Sequence, residues 1–301
     1  MGRPKTFRSV YYTYRMTIVN RKPFRTVGAP VSTPVQTVRR LVRTTVDLLF
    51  PPRCILCGGL PEGETTPFCR GCATVVERER RQPACPTCAA TVGPFEISDE
   101  RCRKCRNRRP WVAKTVRVGP YRVEANNGDR ERDNVSTLGR LLRSYKYSGR
   151  EELGPILGGW LAQVVAGAPW LDRVEVIVAV PTHWRHRLTR PLYAAEALTA
   201  IVVKRTGLPQ APVLTRVKAG PHQIGLSYRD RSDNVRGAFA IRRGTILNDA
   251  RLLLIDDVKT TGATINECAK VLRRGGAAEV YAALVVTVDL DRPTSRVFSS
   301  I

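Results

Sequence analysis

Two groups of residues in this chain are spaced for chemistry. The first is the run Leu252-Leu253-Leu254-Ile255-Asp256-Asp257-Val258-Lys259-Thr260-Thr261-Gly262-Ala263-Thr264. Four apolar residues predict a buried parallel strand, and the two carboxylates at its end are followed at once by a Thr/Gly loop that opens a helix. In a doubly wound α/β sheet, ligands bind beyond the carboxyl ends of the strands. A helix N-terminus there offers unpaired N–H groups and the positive end of a dipole to an anion. Thr260, Thr261, Gly262, Ala263 and Thr264 supply those donors. A bare anion would be repelled by Asp256 and Asp257, so the acids need hydroxyls or a cation as partners. A ribose phosphate satisfies both halves, its diol meeting the carboxylates and its phosphate the loop.

The second group is cysteine. Eight of the nine cysteines form four Cys-x-x-Cys knuckles, Cys54/Cys57, Cys69/Cys72, Cys85/Cys88 and Cys102/Cys105, separated by 11, 12 and 13 residues. Zinc takes four thiolates in a tetrahedron, and a two-residue spacer lets one tight turn aim two sulfurs at one metal. The pattern predicts two structural zinc ions. The simplest partition puts the first four cysteines on one ion and the last four on the other, but a cross-braced arrangement uses the same ligands. A disulfide scaffold would need an oxidising compartment, for which the chain carries no export signal. A redox dithiol suits a single Cys-x-x-Cys, not four regular copies. Few apolar residues separate the knuckles, so metal binding, about 10–16 kcal/mol per structural site, must fold them. Arg101, Arg103, Lys104, Arg106, Arg108 and Arg109 surround the last knuckle and Trp111 follows. That set reads either as a nucleic-acid contact with one stacking residue or as a solvated rim with Trp111 packed at a junction. Cys268 stands apart, at a core position with Ile265, Ala269 and Leu272.

The elements that must position these groups are legible from Val112 onward, where strand and helix signals alternate as in a parallel sheet covered on both faces. Strands are expected at Val112–Val118, Val174–Val180 and Val280–Val288, besides the one ending in the acids. Helices are expected around Leu138 to Tyr145, over Leu153–Val165 and Ala194–Val203, and over Ala263–Arg274, where Gly275-Gly276 signals a C-cap. Asn126–Asp133 reads as a polar loop. Between Arg216 and Arg242 the chain is polar and Arg-rich, which inside an α/β domain points to a lid or substrate loop.

Composition sets the outer bounds. At 301 residues and 43% apolar, the chain can form one substantial α/β core and a smaller unit. Of the formal charge of +24, the first 46 residues contribute ten basic groups and no acid, so the remainder is still at +14. Both parts attract polyanions, nucleic acid and pyrophosphate among them. No run of eighteen apolar residues is present, so no membrane span is expected. The basic first 46 residues lack the apolar core of a secretory signal; their Arg, Ser and Thr content resembles a transit peptide, but they read as a disordered tail or an over-extended gene start, and the expected location is cytoplasmic.

These residues carry a family resemblance. Asp256-Asp257-Val258, Thr260-Thr261-Gly262 and Thr264 resemble the phosphoribosyl-pyrophosphate (PRPP) motif of type I phosphoribosyltransferases. A longer match resembles the ComF family, whose members join a cysteine-rich N-terminal module to such a domain. It takes in Leu48-Leu49-Phe50-Pro51-Pro52-Arg53-Cys54 with Cys57, Lys146-Tyr147 with Gly149, and Val180-Pro181, then Gln223, Leu226, Arg231, Asn234 and Phe239. The resemblance spans residues 47–290. It implies an α/β fold, a type I phosphoribosyltransferase-like parallel sheet with an N-terminal double zinc-ribbon module. The expected domains are the basic tail 1–46, the ribbons 47–111 and the transferase-like domain 112–301.

The same resemblance implies PRPP and Mg²⁺ as ligands. Asp256 and Asp257 would meet the ribose hydroxyls, and Thr260 to Thr264 the 5′-phosphate. Lys259 would add a cation at a position that is commonly apolar or a small hydroxyl residue in the family. Arg185 and Arg187, in the turn after Val180-Pro181 with Thr182, His183 and His186, would hold pyrophosphate. Gln223 and Arg231 would approach the ligand from the lid, with Lys218, His222 and Arg229 nearby. Two elements depart from the pattern: where the family usually reads Arg-Gly-Phe-Asn-Gln, this chain has Arg190-Pro191-Leu192-Tyr193-Ala194, and the segment from Tyr121 to Val135 is longer and more polar than the usual family connection. The implied activity is Mg²⁺-dependent phosphoribosyl transfer to an acceptor that the residues do not identify. The alternatives are a non-catalytic accessory in DNA uptake or use that binds single-stranded DNA, and a sensor of PRPP.

Overall fold

The computed structural model describes residues 53–61, 67–108, 110–122, 135–182, 194–218 and 235–289. The chain divides into two compact units, residues 1–69 and 70–301. In the first, the knuckle of Cys54 and Cys57 is closed by bonds from Cys54 N to Gly59 O (2.7 Å) and from Gly58 N to Cys54 O (2.9 Å).

The second unit opens with helix α1 (Arg70–Arg80). It continues through the two-residue strands β1 (Ile97–Ser98) and β2 (Arg101–Cys102) and the short helix α2 (Arg103–Arg106). Its sheet comprises β3 (Thr115–Tyr121), β4 (Val176–Ala179), β7 (Arg251–Lys259) and β8 (Glu279–Val288). They lie in the order β3-β8-β7-β4, and every pair is parallel. Between them run helices α3 (Thr137–Tyr147), α4 (Gly154–Ala166), α5 (Ala194–Thr206) and α6 (Ala263–Arg274). A separate antiparallel pair joins β5 (Leu214–Arg216) to β6 (Phe239–Ile241). The parallel sheet with helices and an N-terminal zinc-ribbon region is therefore the architecture, as the alternating signals predict.

The strands are apolar because both faces are covered. Leu252 and Leu254 pack with Ile265, Cys268, Ala269 and Leu272 of α6 and with Leu214 and Phe239. Cys268 is a fully buried core residue, as its spacing predicts. Leu253 and Ile255 point to the opposite face by strand alternation and are equally buried. Helix α6 ends at Gly275 as expected, whereas the first strand is displaced to Thr115–Tyr121. Residues 112–114 are drawn out of that strand, although Ala113 N still reaches Val280 O (2.8 Å).

The second knuckle pair is built onto the sheet rather than beside it. Thr115 N donates to Pro86 O (2.8 Å) and Thr115 Oγ1 to Thr87 O (2.9 Å). At the other end of the sheet, Asp289 accepts from Thr91 N (3.0 Å) and Thr91 Oγ1 (2.5 Å), and Arg117 NH2 donates to Thr91 Oγ1 (2.6 Å). The Arg117 side chain is 1% exposed, with Asp289 beside it at 3.9 Å. Burial pulls its guanidinium down to about 10, against the opposing pull of Asp289. Removing that carboxylate strands a buried cation. Asp289→Ala is therefore expected to cost about 3–5 kcal/mol, read as a lower urea midpoint at unchanged slope. An unshifted midpoint would show that the ribbon is held by other contacts.

Candidate functional site: an acidic pair, its lysine and two cysteine clusters

Asp256 and Asp257 do not end their strand. Strand β7 continues to Lys259 because it stays paired with β8 from Asp256↔Leu284 to Lys259↔Thr287. On the other side β4 stops, and its last pair is Ala179↔Ile255. The two acids thus project past one neighbour while anchored to the other. Successive side chains leave a strand on opposite faces, and the two carboxylates have different surroundings. Asp257, 11% exposed at its side chain, accepts the Lys146 ammonium of α3 at 2.8 Å. Asp256 is partly buried on the face of α6 and β5, where its oxygen accepts the N–H of Asp257 (2.9 Å) and Arg216 lies within electrostatic reach.

These surroundings divide the charge. Burial, then the adjacent charge of Asp257, push the Asp256 carboxyl up to about 8, while Lys146 and Arg216 pull more weakly the other way. Burial alone would depress the Lys146 ammonium, but Asp257 foremost outweighs it and the net movement is upward. Ionising Asp256 is therefore disfavoured beside Asp257, and one lysine faces the pair from α3. Lys146 is itself placed by α3, whose first turn is capped from another element. Glu79 of α1 accepts the N–H groups of Thr137 (2.7 Å) and Leu138 (2.8 Å). A carboxylate at a helix N-terminus satisfies orphan donors and complements the dipole.

The loop from Thr260 leads into α6 through Gly262, whose φ is +81°. A side chain there would be strained by that backbone conformation, so glycine serves the left-handed turn. Thr261 Oγ1 accepts the N–H of Ala263 (3.1 Å), and Thr264 occupies the first turn of α6. The structure thus brings together Asp256, Asp257, Lys259, Thr260, Thr261, Gly262, Ala263 and Thr264. Arg185, Arg187, Gln223 and Arg231 lie outside the described residues, as do His183, His186, His222, Arg229 and the segment from Arg190 to Tyr193. Lys146 and Arg216 are the additions. Lys146 was visible only as part of a family match, and no spacing ties residue 146 to residue 257. Arg216 carried no signal beyond its charge.

The eight cysteines gather as two groups, Cys54, Cys57, Cys69 and Cys72, and Cys85, Cys88, Cys102 and Cys105. Within each, the four sulfurs lie within 4.8 Å of one another, and all are free thiols. A tetrahedron with zinc–sulfur bonds of about 2.3 Å has edges of about 3.8 Å. The separations are 3.6 Å for Cys57–Cys69, Cys85–Cys105 and Cys88–Cys102, and 3.9 Å for Cys102–Cys105. Both groups fit one zinc ion each, in the sequential partition. Trp111 is 39% exposed; its backbone N–H donates to Asn266 Oδ1 (2.9 Å) of α6, and Arg274 lies over its ring at 5.8 Å.

Comparison with known proteins agrees with this geometry. Residues 45–106 match the double zinc ribbon domain. The chain is 26% identical to competence protein F of Haemophilus influenzae over 77% of its own length and 95% of that protein. It is 28% identical to the DNA utilization protein YhgH of Salmonella typhi, over 77% of this chain and 96% of the relative. Among solved structures, orotate phosphoribosyltransferase from Aeropyrum pernix matches 56% of this chain and 85% of its own, at 19% identity and a TM-score of 0.31. That last likeness is too slight to carry weight.

Proposed function

We propose, for a chain that belongs to the ComF family, that residues 252–264 bind PRPP and that the protein transfers its phosphoribosyl group. The observation that carries the reading is the acidic pair, with Lys146 2.8 Å from Asp257, beside a threonine-rich helix N-terminus. A bare phosphate site has no use for Asp256 and Asp257, and a bare cation site has none for the loop. In this reading the N–H groups and hydroxyls of Thr260 to Thr264 take the 5′-phosphate. Asp257, fixed by Lys146, accepts from the ribose hydroxyls, and Asp256 joins it once its proton leaves. Asp256 and Asp257 are the residues that would hold Mg²⁺, mostly through water and the ribose diol, and the ion would neutralise charge gathering on pyrophosphate. As the anomeric bond breaks, positive charge grows on the sugar, and the two carboxylates are the groups of this chain that stabilise it. Pyrophosphate is assigned to Arg185 and Arg187, and the lid to Gln223 and Arg231, as the resemblance implies.

The raised carboxyl makes a distinctive prediction. If the ligand requires both acids ionised, binding must expel the proton of Asp256. Affinity for PRPP with Mg²⁺ should then climb about tenfold per pH unit below about 8 and level off above it. Calorimetric titration from pH 6 to 9 measures this. Asp256→Asn should flatten the profile, and Asp257→Asn should lower affinity at every pH. Unchanged affinity in both variants would refute the sugar contacts.

A second reading is favoured by the names of the relatives, which concern competence and DNA utilization, together with the basic charge. In it, the fold serves as a non-catalytic accessory that binds single-stranded DNA in the cytoplasm. Pyrophosphate release over a panel of bases, amines and oligonucleotides separates the two, because only the first reading yields it.

A further inference from the structure

Two cations at the joint between the sheet and the second ribbon lack a full counter-charge. Arg117 of β3, 1% exposed at its side chain, donates through NH2 to Thr91 Oγ1 (2.6 Å). Its Nε and NH1 meet no hydrogen-bond acceptor among the described residues. Asp289 stands 3.9 Å from NH1, too far for a hydrogen bond, and also accepts from Thr91 and faces Arg122 at 3.4 Å. Lys259, the last residue of β7, is partly buried, and among the described residues its ammonium has neither an ion pair nor a hydrogen bond.

The two cations share the second cysteine cluster as a neighbour. Lys259 lines one cavity with Cys88 and Cys105. Burial disfavours its ammonium, and of the charges around it the Cys88 sulfur offsets that most, ahead of Asp289 and Cys102. Cys88 also lies within electrostatic reach of Arg117. The bonds of Thr115 to Pro86 and Thr87, and of Thr91 to Asp289, fix the ribbon over both. Arg117, Arg122 and Lys259 share the carboxylate of Asp289, which leaves a surplus of two positive charges. Four thiolates on one zinc ion carry a net charge of about −2, and the loaded cluster cancels that surplus. Lys104 and Arg108 border the same cavity but are exposed, where water and salt screen them.

We propose that Lys259 and Arg117 are the counter-cations of the zinc tetrathiolate of Cys85, Cys88, Cys102 and Cys105. Away from water, opposite charges act on one another over several ångströms, and partners outside the ligand shell are worth about 10–100-fold in metal affinity. Lys259 then serves the metal centre and not the phosphate, although it opens the phosphate loop. The assignment rests on the fit of zinc to the second cluster and is independent of the PRPP reading.

The test is chelator competition on the zinc-loaded full-length protein, with the first cluster as internal reference. Lys259→Met should weaken one of the two zinc sites at least about tenfold and leave the other unchanged, and Lys259→Arg should recover most of the affinity. In a Cys85→Ser background, where the first cluster alone holds zinc, Lys259→Met should have no effect. Arg117→Met should weaken the same site as Lys259→Met. Because Arg117 also holds Thr91, Lys259→Met decides the matter if Arg117→Met fails to fold. Cobalt(II) in place of zinc gives a readout that packing alone does not move. A nearby cation holds the thiolate electrons more tightly, so the sulfur-to-cobalt charge-transfer band of one site should move to lower energy in Lys259→Met and return in Lys259→Arg. Unaltered zinc affinity with an unshifted cobalt band would overturn the proposal. So would loss of PRPP affinity in Lys259→Met with zinc binding intact, which would return the lysine to the phosphate. A wild-type protein that binds no PRPP would remove the proposed function alone, since the metal measurements still decide the role of Lys259.

Discussion

Cys85→Ser is expected to lose one of two zinc ions and unfold the second ribbon. Among the described residues, the cluster of Cys85, Cys88, Cys102 and Cys105 has only Ala90 and Val92 as buried apolar neighbours in its core. So little burial does not offset the ordering of the residues around it, at about 1–2 kcal/mol each for the backbone. Zinc binding, about 10–16 kcal/mol for a structural site, does. Loss of the metal should also release the contacts of Thr87 and Thr91 with the sheet. Elemental analysis should give about two zinc ions per wild-type chain and about one in Cys85→Ser. Hydrogen exchange should show protection lost from residues 83–105 and lowered in β3. Zinc near zero in the wild type would remove the ribbon assignment.

The second large effect is expected at Lys146. Lys146→Met leaves the Asp257 carboxylate without the cation 2.8 Å away, in a site where both side chains are largely buried. Breaking such a pair from one side costs about 3–5 kcal/mol. It also leaves the two acids without the Lys146 cation on the α3 face. PRPP affinity should fall at least about tenfold at pH 7. Lys146→Arg keeps the charge and should recover part of the binding. A Lys146→Met protein with wild-type affinity would reduce the lysine to a family marker. Equilibrium unfolding and titration on the same preparations separate the stability loss from the ligand effect.

Much of the fold was readable because it rests on local patterns. Helix α6 was bounded correctly at both ends, since an apolar stripe starts after Gly262 and Gly275-Gly276 stops it. Strands β7 and β8 were found from unbroken apolar runs, which arise only where both faces are covered. The first strand was misplaced by three residues because Val112, an equally apolar residue, is buried in the core against the sheet and α6 without pairing in the sheet. Helix α1 and the β5–β6 pair were missed. The first is a charged helix with Val76 as its buried residue, and the second consists of strands of three residues each, too short for periodicity to register.

Sequence alone determined the ligand atoms of both metal clusters, the acidic pair and the threonine loop, because each is a matter of residue type and spacing over a few positions. Tertiary structure decided how those groups are divided and opposed. Which four thiols share an ion, which lysine faces Asp257, and that the last knuckles stand beside the threonine loop all depend on residues far apart in the chain. Charge and hydrogen bonding fall steeply with distance, so these relations exist only once packing of the sheet has set the separations.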